Sequence, residues 1–245
     1  MAYRSYAVAE NDIITIDGPS GSGKSTISRL VAARLGFTYL DTGAMYRAVG
    51  YKAGRLGIDL ADGPALAAML ENIDLVLAPG EGDTRVILDR EDISLAIRTA
   101  EMGLVASKVS AQPVVRARLT DMQRRLGRGG RVVVEGRDTG TVVFPGARYK
   151  FFLDAKPEER ARRRCLQLRE KGQQADEQDI LAQISKRDRD DSDRALAPLK
   201  PAADAVIVDT SRMTIDDVVS FMLEKVEKLG QNRQNDSQGA GKIHP

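Results

Sequence analysis

Ile13 to Thr26 reads IITIDGPSGSGKST: a short apolar strand, then Gly18-Pro19-Ser20-Gly21-Ser22-Gly23-Lys24-Ser25, then the start of a helix. The octet is a full match to G-x-x-x-x-G-K-[ST], and it sits between strand and helix, where the chemistry requires it. Glycines let the backbone curl so that several N–H groups point inward at a phosphate. The helix that follows adds the positive end of its dipole. Lys24 is placed to reach the β- and γ-phosphates of a nucleoside triphosphate, and the Ser25 hydroxyl to bind Mg²⁺. The expected nucleotide-binding set is Gly18, Pro19, Ser20, Gly21, Ser22, Gly23, Lys24, Ser25 and Thr26. The motif leaves open what receives the phosphate.

Outward from that loop, strands are expected at 13–17, 37–40, 131–135, 149–154 and 204–209. Helices are expected at 24–35, 44–56, 101–111, 114–127, 156–171, 177–189 and 215–229, with Thr42 capping the second. Strands alternating with helices imply a parallel sheet covered on both faces. Residues 58–100 break this rhythm. A short helix starts at Asp62-Gly63-Pro64, and strands at 74–78 and 85–88 flank the turn-rich Pro79-Gly80-Glu81-Gly82-Asp83. This stretch reads as an insertion. Residues 1–11 and 230–245 read as tails without structure.

A chain of 245 residues suggests one domain, with or without insertions, and 42% hydrophobic residues suffice for a substantial core. Lys plus Arg is 37 against 35 for Asp plus Glu; the net charge of +2 argues against bulk nucleic-acid binding. Cys165 is the single cysteine, so neither an internal disulfide nor a zinc cluster is expected, and the residue reads as packing. The only histidine, His244, lies in the C-terminal tail, so histidine catalysis is not expected. No apolar run approaches the ~20 residues that span a bilayer, and the N-terminus lacks a signal peptide's apolar core. A cytoplasmic monomer without nucleic-acid or membrane partners is expected.

A parallel sheet binds ligands at the carboxyl ends of its strands. There the second strand delivers Asp41-Thr42-Gly43-Ala44-Met45-Tyr46-Arg47 and the third Gly136-Arg137-Asp138. Arg47 and Arg137 are candidates for a second anion facing the triphosphate, or else surface ion pairs. Arg187, Asp191 and Arg194 fall at i, i+4 and i+7. That face suits a phosphate plus a sugar hydroxyl; the alternative is a solvated charged helix end. Arg160, Arg163 and Arg164 share a face of the run 158–164. They read as a mobile lid over a polyphosphate, or as a solvated basic helix. Asp17 either helps position the metal shell or caps its loop.

Six stretches carry a resemblance: IDGPSGSGKST, LDTGAMYR, VILDREDIS with IRT, EGRDTGTVVFP, FFLDAKPEERARRR and KRDRDDSDRALAPLKPAADAVIVDTS. Over residues 12–229 the sequence resembles the bacterial-type cytidylate kinases, members of the nucleoside monophosphate (NMP) kinases. Glu135 stands where that family often has Asp. The resemblance implies an α/β P-loop three-layer fold with a five-stranded parallel sheet, an inserted NMP-binding domain at 58–100 and a mobile lid at about 156–172, on a core of 12–57 and 101–229. It implies ATP as donor, Mg²⁺, and CMP and dCMP as acceptors. Lys24, Arg137, Arg160 and Arg164 would compensate the transferring charge. Arg47, Arg137 and Arg187 would grip the CMP phosphate. Asp191 and Arg194 would hold the ribose, with Thr42 and Tyr46 nearby. Ser107, Arg116 and Asp138 would read the base. Cytosine presents an N4 amino donor that a carboxylate accepts, whereas uracil presents an acceptor there. A shikimate or uridylate kinase is the runner-up. A P-loop switch protein would require N-K-x-D, which is absent.

Overall fold

The computed structural model describes residues 12–80, 84–170 and 172–239. Its centre is a five-stranded parallel sheet of β1 (Ile13–Asp17), β2 (Thr38–Asp41), β6 (Val132–Gly136), β7 (Tyr149–Asp154) and β8 (Val206–Asp209), in the order β2-β6-β1-β7-β8. β1 and β6 are β-branched runs buried on both faces, as a central parallel strand requires. Their register, Ile13↔Val132 to Asp17↔Gly136, brings the glycine-rich loop and the segment after β6 out at the same edge.

Helices cover both faces. On one, Ile14, Ile16, Phe151 and Leu153 pack with Val31 of α1 (Lys24–Leu35) and Met222 and Val226 of α8 (Ile215–Gly239). On the other, Val132 and Val134 join Met45 and Val49 of α2 (Thr42–Arg55), Val109 of α4 (Ala100–Ser110) and Val115 and Leu119 of α5 (Pro113–Leu126). The break in rhythm at 58–100 is a separate layer. α3 (Gly63–Glu71) precedes an antiparallel sheet of β3 (Leu75–Pro79), β4 (Thr84–Leu88) and β5 (Glu91–Asp92). α6 (Pro157–Glu170) and α7 (Glu177–Ser192) pair through a small core of their own, Ala161, Cys165, Ile180 and Ile184.

Several expectations need correction. Asp41, not Thr42, caps α2: its carboxylate accepts from the Ala44 N–H at 2.9 Å, while Thr42 is already helical and donates to the Glu135 carbonyl at 2.7 Å. β5 was not foreseen, because two residues carry no period; left-handed Asp89 and Arg90 make the turn into it. α7 runs three residues past 189. α8 continues beyond 229 to Gly239, because Gly230 lies in helix and Arg148 donates to the Leu229 carbonyl at 2.7 Å and the Gly230 carbonyl at 3.2 Å. The tail expectations for 1–11 and 240–245 fall outside the described residues. No helix among the described residues is long and apolar enough to cross a membrane.

Candidate active site

The glycine-rich loop has the backbone that its sequence demands. Gly18, Gly21 and Gly23 have φ of 148°, 80° and 91°, and a Cβ on Gly18 would lie 2.0 Å from the Leu153 carbonyl oxygen. No other residue fits Gly18, and the loop can curl round into α1. Lys24 is buried, and its ammonium donates to the Pro19 carbonyl and to Ser22 Oγ at 3.3 Å. Burial, with Arg137 and Arg187 nearby, holds its pKa well below the usual lysine value.

Beside Lys24 stands a carboxylate that sequence reasoning noticed only as a departure. Glu135, near the end of β6, accepts from Ser25 Oγ at 3.0 Å and from the Tyr39 hydroxyl. Burial raises its pKa, and Asp41 adds to the rise. Asp17, offered two roles above, caps neither its own loop nor, among its hydrogen bonds, any metal-shell group; it holds the segment after β6. Its oxygens accept from the Thr139 N–H, the Thr139 hydroxyl and the Gly140 N–H, each at 2.8 Å.

Loop and facing wall enclose a cleft of about 820 Å³, in the range of small-ligand sites. Ser20, Gly21, Ser22, Gly23, Lys24, Ser25 and Thr26 line one side. Thr42, Tyr46, Arg47, Ser107, Arg116, Arg137, Asp138, Arg187, Asp191 and Arg194 line the other. α2, α4, α5, the segment after β6, α7 and the residue Arg194 just past it supply this wall.

The wall is a lattice of ion pairs. Arg116 and Asp138 form a buried pair, and Arg116 also donates to the Ser110 carbonyl at 3.2 Å. Burial raises the Asp138 pKa against the pull of Arg116. Asp191 accepts from Ser107 Oγ at 2.9 Å and from Arg137 Nε at 3.1 Å. Burial pushes the Asp191 carboxyl up, but Arg137, Arg187 and Arg194 together outweigh it and hold the pKa below the usual carboxylate value. Arg47 pairs with Asp41 at 2.8 Å. Arg187 reaches Ser20 Oγ at 3.3 Å, and burial with Arg137 and Arg47 close by pushes its pKa down to about 10. Arg194 lies beyond the end of α7, past its cap Asp193, so the expected single helical stripe is broken. Its guanidinium still returns to Ser110 Oγ at 2.6 Å and the Asp191 carbonyl at 3.3 Å.

The arginines of α6 divide. Arg160 does not line the cleft: it is buried, donating to the carbonyls of Ala155 at 2.8 Å and Ser20 at 3.1 Å, with Asp188 2.6 Å away. Arg162 and Arg163 pair with Glu159 at 2.8 Å, and Arg163 also holds the Thr210 carbonyl at 2.6 Å. Carboxylates and carbonyls thus offset most of the mutual repulsion of these arginines. Arg164 lines the cleft and makes no ion pair among the described residues.

The family model described as cytidylate kinase matches residues 14–228. The chain belongs to the cytidylate kinase family. Relatives named cytidylate kinase agree over nearly their whole length. That of Citrifermentans bemidjiense is 47% identical over 92% of this chain and 97% of its own. That of Pelotomaculum thermopropionicum is 49% identical over 87% and 95%, and that of Pseudomonas aeruginosa PAO1 45% over 89% and 96%. The chain is therefore an enzyme, a kinase that phosphorylates CMP. Within this cytidylate kinase, sequence reasoning missed the parts played by Glu135 and Tyr39, and it placed Ser20 in the donor loop without its ties to Arg160 and Arg187. An available signal for Glu135 was an acid ending a β-branched strand; Tyr39 had none.

Proposed function

We propose that this enzyme phosphorylates CMP and dCMP with ATP by in-line transfer between two facing sites. Arg187 carries the reading: a half-buried guanidinium whose Nε is buried without a hydrogen-bond partner and whose pKa is depressed, near Arg137 and Arg47 and across from Lys24. Buried like charges are costly unless an anion sits among them. The CMP phosphate is that anion, with Arg47, Arg137 and Arg187 as its ligands. Arg116 and Asp138 face the base, Ser107 completes that subsite, and Asp191 and Arg194 face the ribose beside Thr42 and Tyr46. ATP lies along Gly18–Thr26.

An oxygen of the CMP phosphate attacks the γ-phosphorus; the new O–P bond forms as the bond to the β-bridging oxygen breaks, and ADP departs with that electron pair. The acceptor is already an anion near neutral pH, so no strong general base is needed. Lys24 leaves the Pro19 carbonyl for the phosphates, and Arg137 and Arg164 spread the developing charge. Arg160 acts from beneath the loop, holding the Ser20 carbonyl. Ser25 and the Glu135 carboxylate behind it are hard oxygen donors and fit Mg²⁺ held jointly with phosphates. Bound there, Mg²⁺ would neutralise charge on the phosphate oxygens. Residues 58–100 serve as the acceptor-binding insert and 156–172 as the lid that excludes water, in a cytoplasmic monomer.

The test is a coupled ADP-release assay with ATP and CMP, dCMP, UMP, AMP or shikimate. CMP and dCMP should be the best acceptors; a better rate with UMP or shikimate would reject the base-reading wall.

A further inference from the structure

Asp17 is a buried carboxylate that the mechanism above does not use. It ends β1, one residue before the donor loop, yet all three of its hydrogen bonds go to Thr139 and Gly140, next to Arg137 and Asp138. There the chain makes a π-turn over Thr139–Val143. The turn is closely packed. A Cβ on Gly140 would lie 2.8 Å from Thr15 Oγ1, and one on Gly136 would lie 2.6 Å from Thr139 Cγ2 and 2.7 Å from Thr42 Oγ1.

We propose that Asp17 is a positioning residue for acceptor specificity: its carboxylate fixes the turn that aims Asp138 at the base, although it stands at the foot of the donor loop. The proposal rests on the base-reading role of Asp138. A carboxylate offers only acceptors, and here it meets three donors. Asparagine would replace one acceptor with an N–H₂, so one buried N–H would face another donor. The turn must then move, and a misplacement of about 1 Å at a reacting constellation costs about 10²-fold.

The experiment compares Asp17→Asn, Thr139→Val, Thr139→Ser and Asp138→Ala with the wild type, measuring KM for ATP, kcat/KM for CMP and for UMP, and melting temperature. Asp17→Asn should lower the CMP-to-UMP ratio of kcat/KM by about tenfold or more, while KM for ATP stays within about twofold. Thr139→Val, which removes one of the three donors, should move the ratio the same way by less. Thr139→Ser, which keeps the hydroxyl, should restore it. An unchanged ratio with CMP and ATP weakened alike would reduce Asp17 to a structural support and overturn the proposal. If Asp17→Asn does not fold, an unchanged ratio in Thr139→Val overturns it by itself. If Asp138→Ala leaves the ratio unchanged, the base-reading role falls. If Asp138→Ala collapses the ratio and neither Asp17→Asn nor Thr139→Val moves it, that role stands and the positioning proposal fails.

Discussion

The two sides of the cleft are built on opposite plans. The donor side is one contiguous loop, Gly18 to Ser25, made mostly of backbone N–H groups and ended by a single cation. The facing wall has no continuous backbone. Its side chains come from α2, α4, α5, the turn after β6, α7 and the residue Arg194 just past it, and nearly every one is tied to another. A loop that binds through its backbone tolerates ligand variety beyond the phosphates. A wall of mutually paired side chains discriminates, because the wrong ligand leaves a buried partner unsatisfied. Its price is interdependence: removing one member disturbs the rest.

Four changes probe that contrast. Lys24→Met removes the one charged group of the donor loop. It should lower kcat by about 10³-fold, the scale of one transition-state donor, with CMP and dCMP affected alike in steady-state assays. A loss confined to one acceptor would break the contrast.

Asp17 joins the two sides, and its stability contribution depends on pH. Burial raises its pKa from 3.8 to about 6 against the pull of its three hydrogen bonds. A carboxyl whose folded value lies above the unfolded one favours folding below pH 3.8 and loses that contribution as pH rises through 6. Between pH 3 and pH 7 the wild type should lose about 3 kcal/mol relative to Asp17→Asn, from a shift of roughly two units at 1.36 kcal/mol each. Denaturant titrations of both proteins across that range would measure it; a constant difference would place the carboxylate outside this linkage.

Arg187→Ala should reduce kcat/KM for CMP by about 10²-fold, as expected for a charged hydrogen-bond partner of a phosphate. KM for ATP should change much less, although Arg187 touches Ser20. Equal losses for both nucleotides would erase the division between the sides. Asp191→Asn is the gentlest probe. It should change CMP and dCMP unequally by several-fold, about 1 kcal/mol for one hydrogen bond. Identical effects would move the ribose contact elsewhere in the wall.

Much of this was legible before any coordinates. The β-branched runs at 13–17 and 131–135 and the helix stops, Gly36 above all, placed the main elements within a few residues. The wall residues were legible as types and positions but not as partners. Arg160 and Arg164 show why: four residues apart in one basic run, one lies buried under the donor loop and the other faces the cleft. Spacing puts two side chains on one face of a helix. It does not say which of them meets Asp188 from α7 and the Ser20 carbonyl. Thr42 likewise has the chemistry of a cap, yet Asp41 takes the N–H and Thr42 turns to Glu135.

The donor loop is encoded locally, because φ, glycine placement and one lysine specify a phosphate cradle. The sequence also encodes the sheet, through runs apolar on both faces. How the two sides are wired is a tertiary property: Asp17 to Thr139 and Gly140, Arg116 to Asp138, Arg137 to Asp191, Tyr39 and Ser25 to Glu135. Those contacts join residues from 22 to 123 positions apart. Their strength comes from the burial that packing imposes, and no local pattern encodes it.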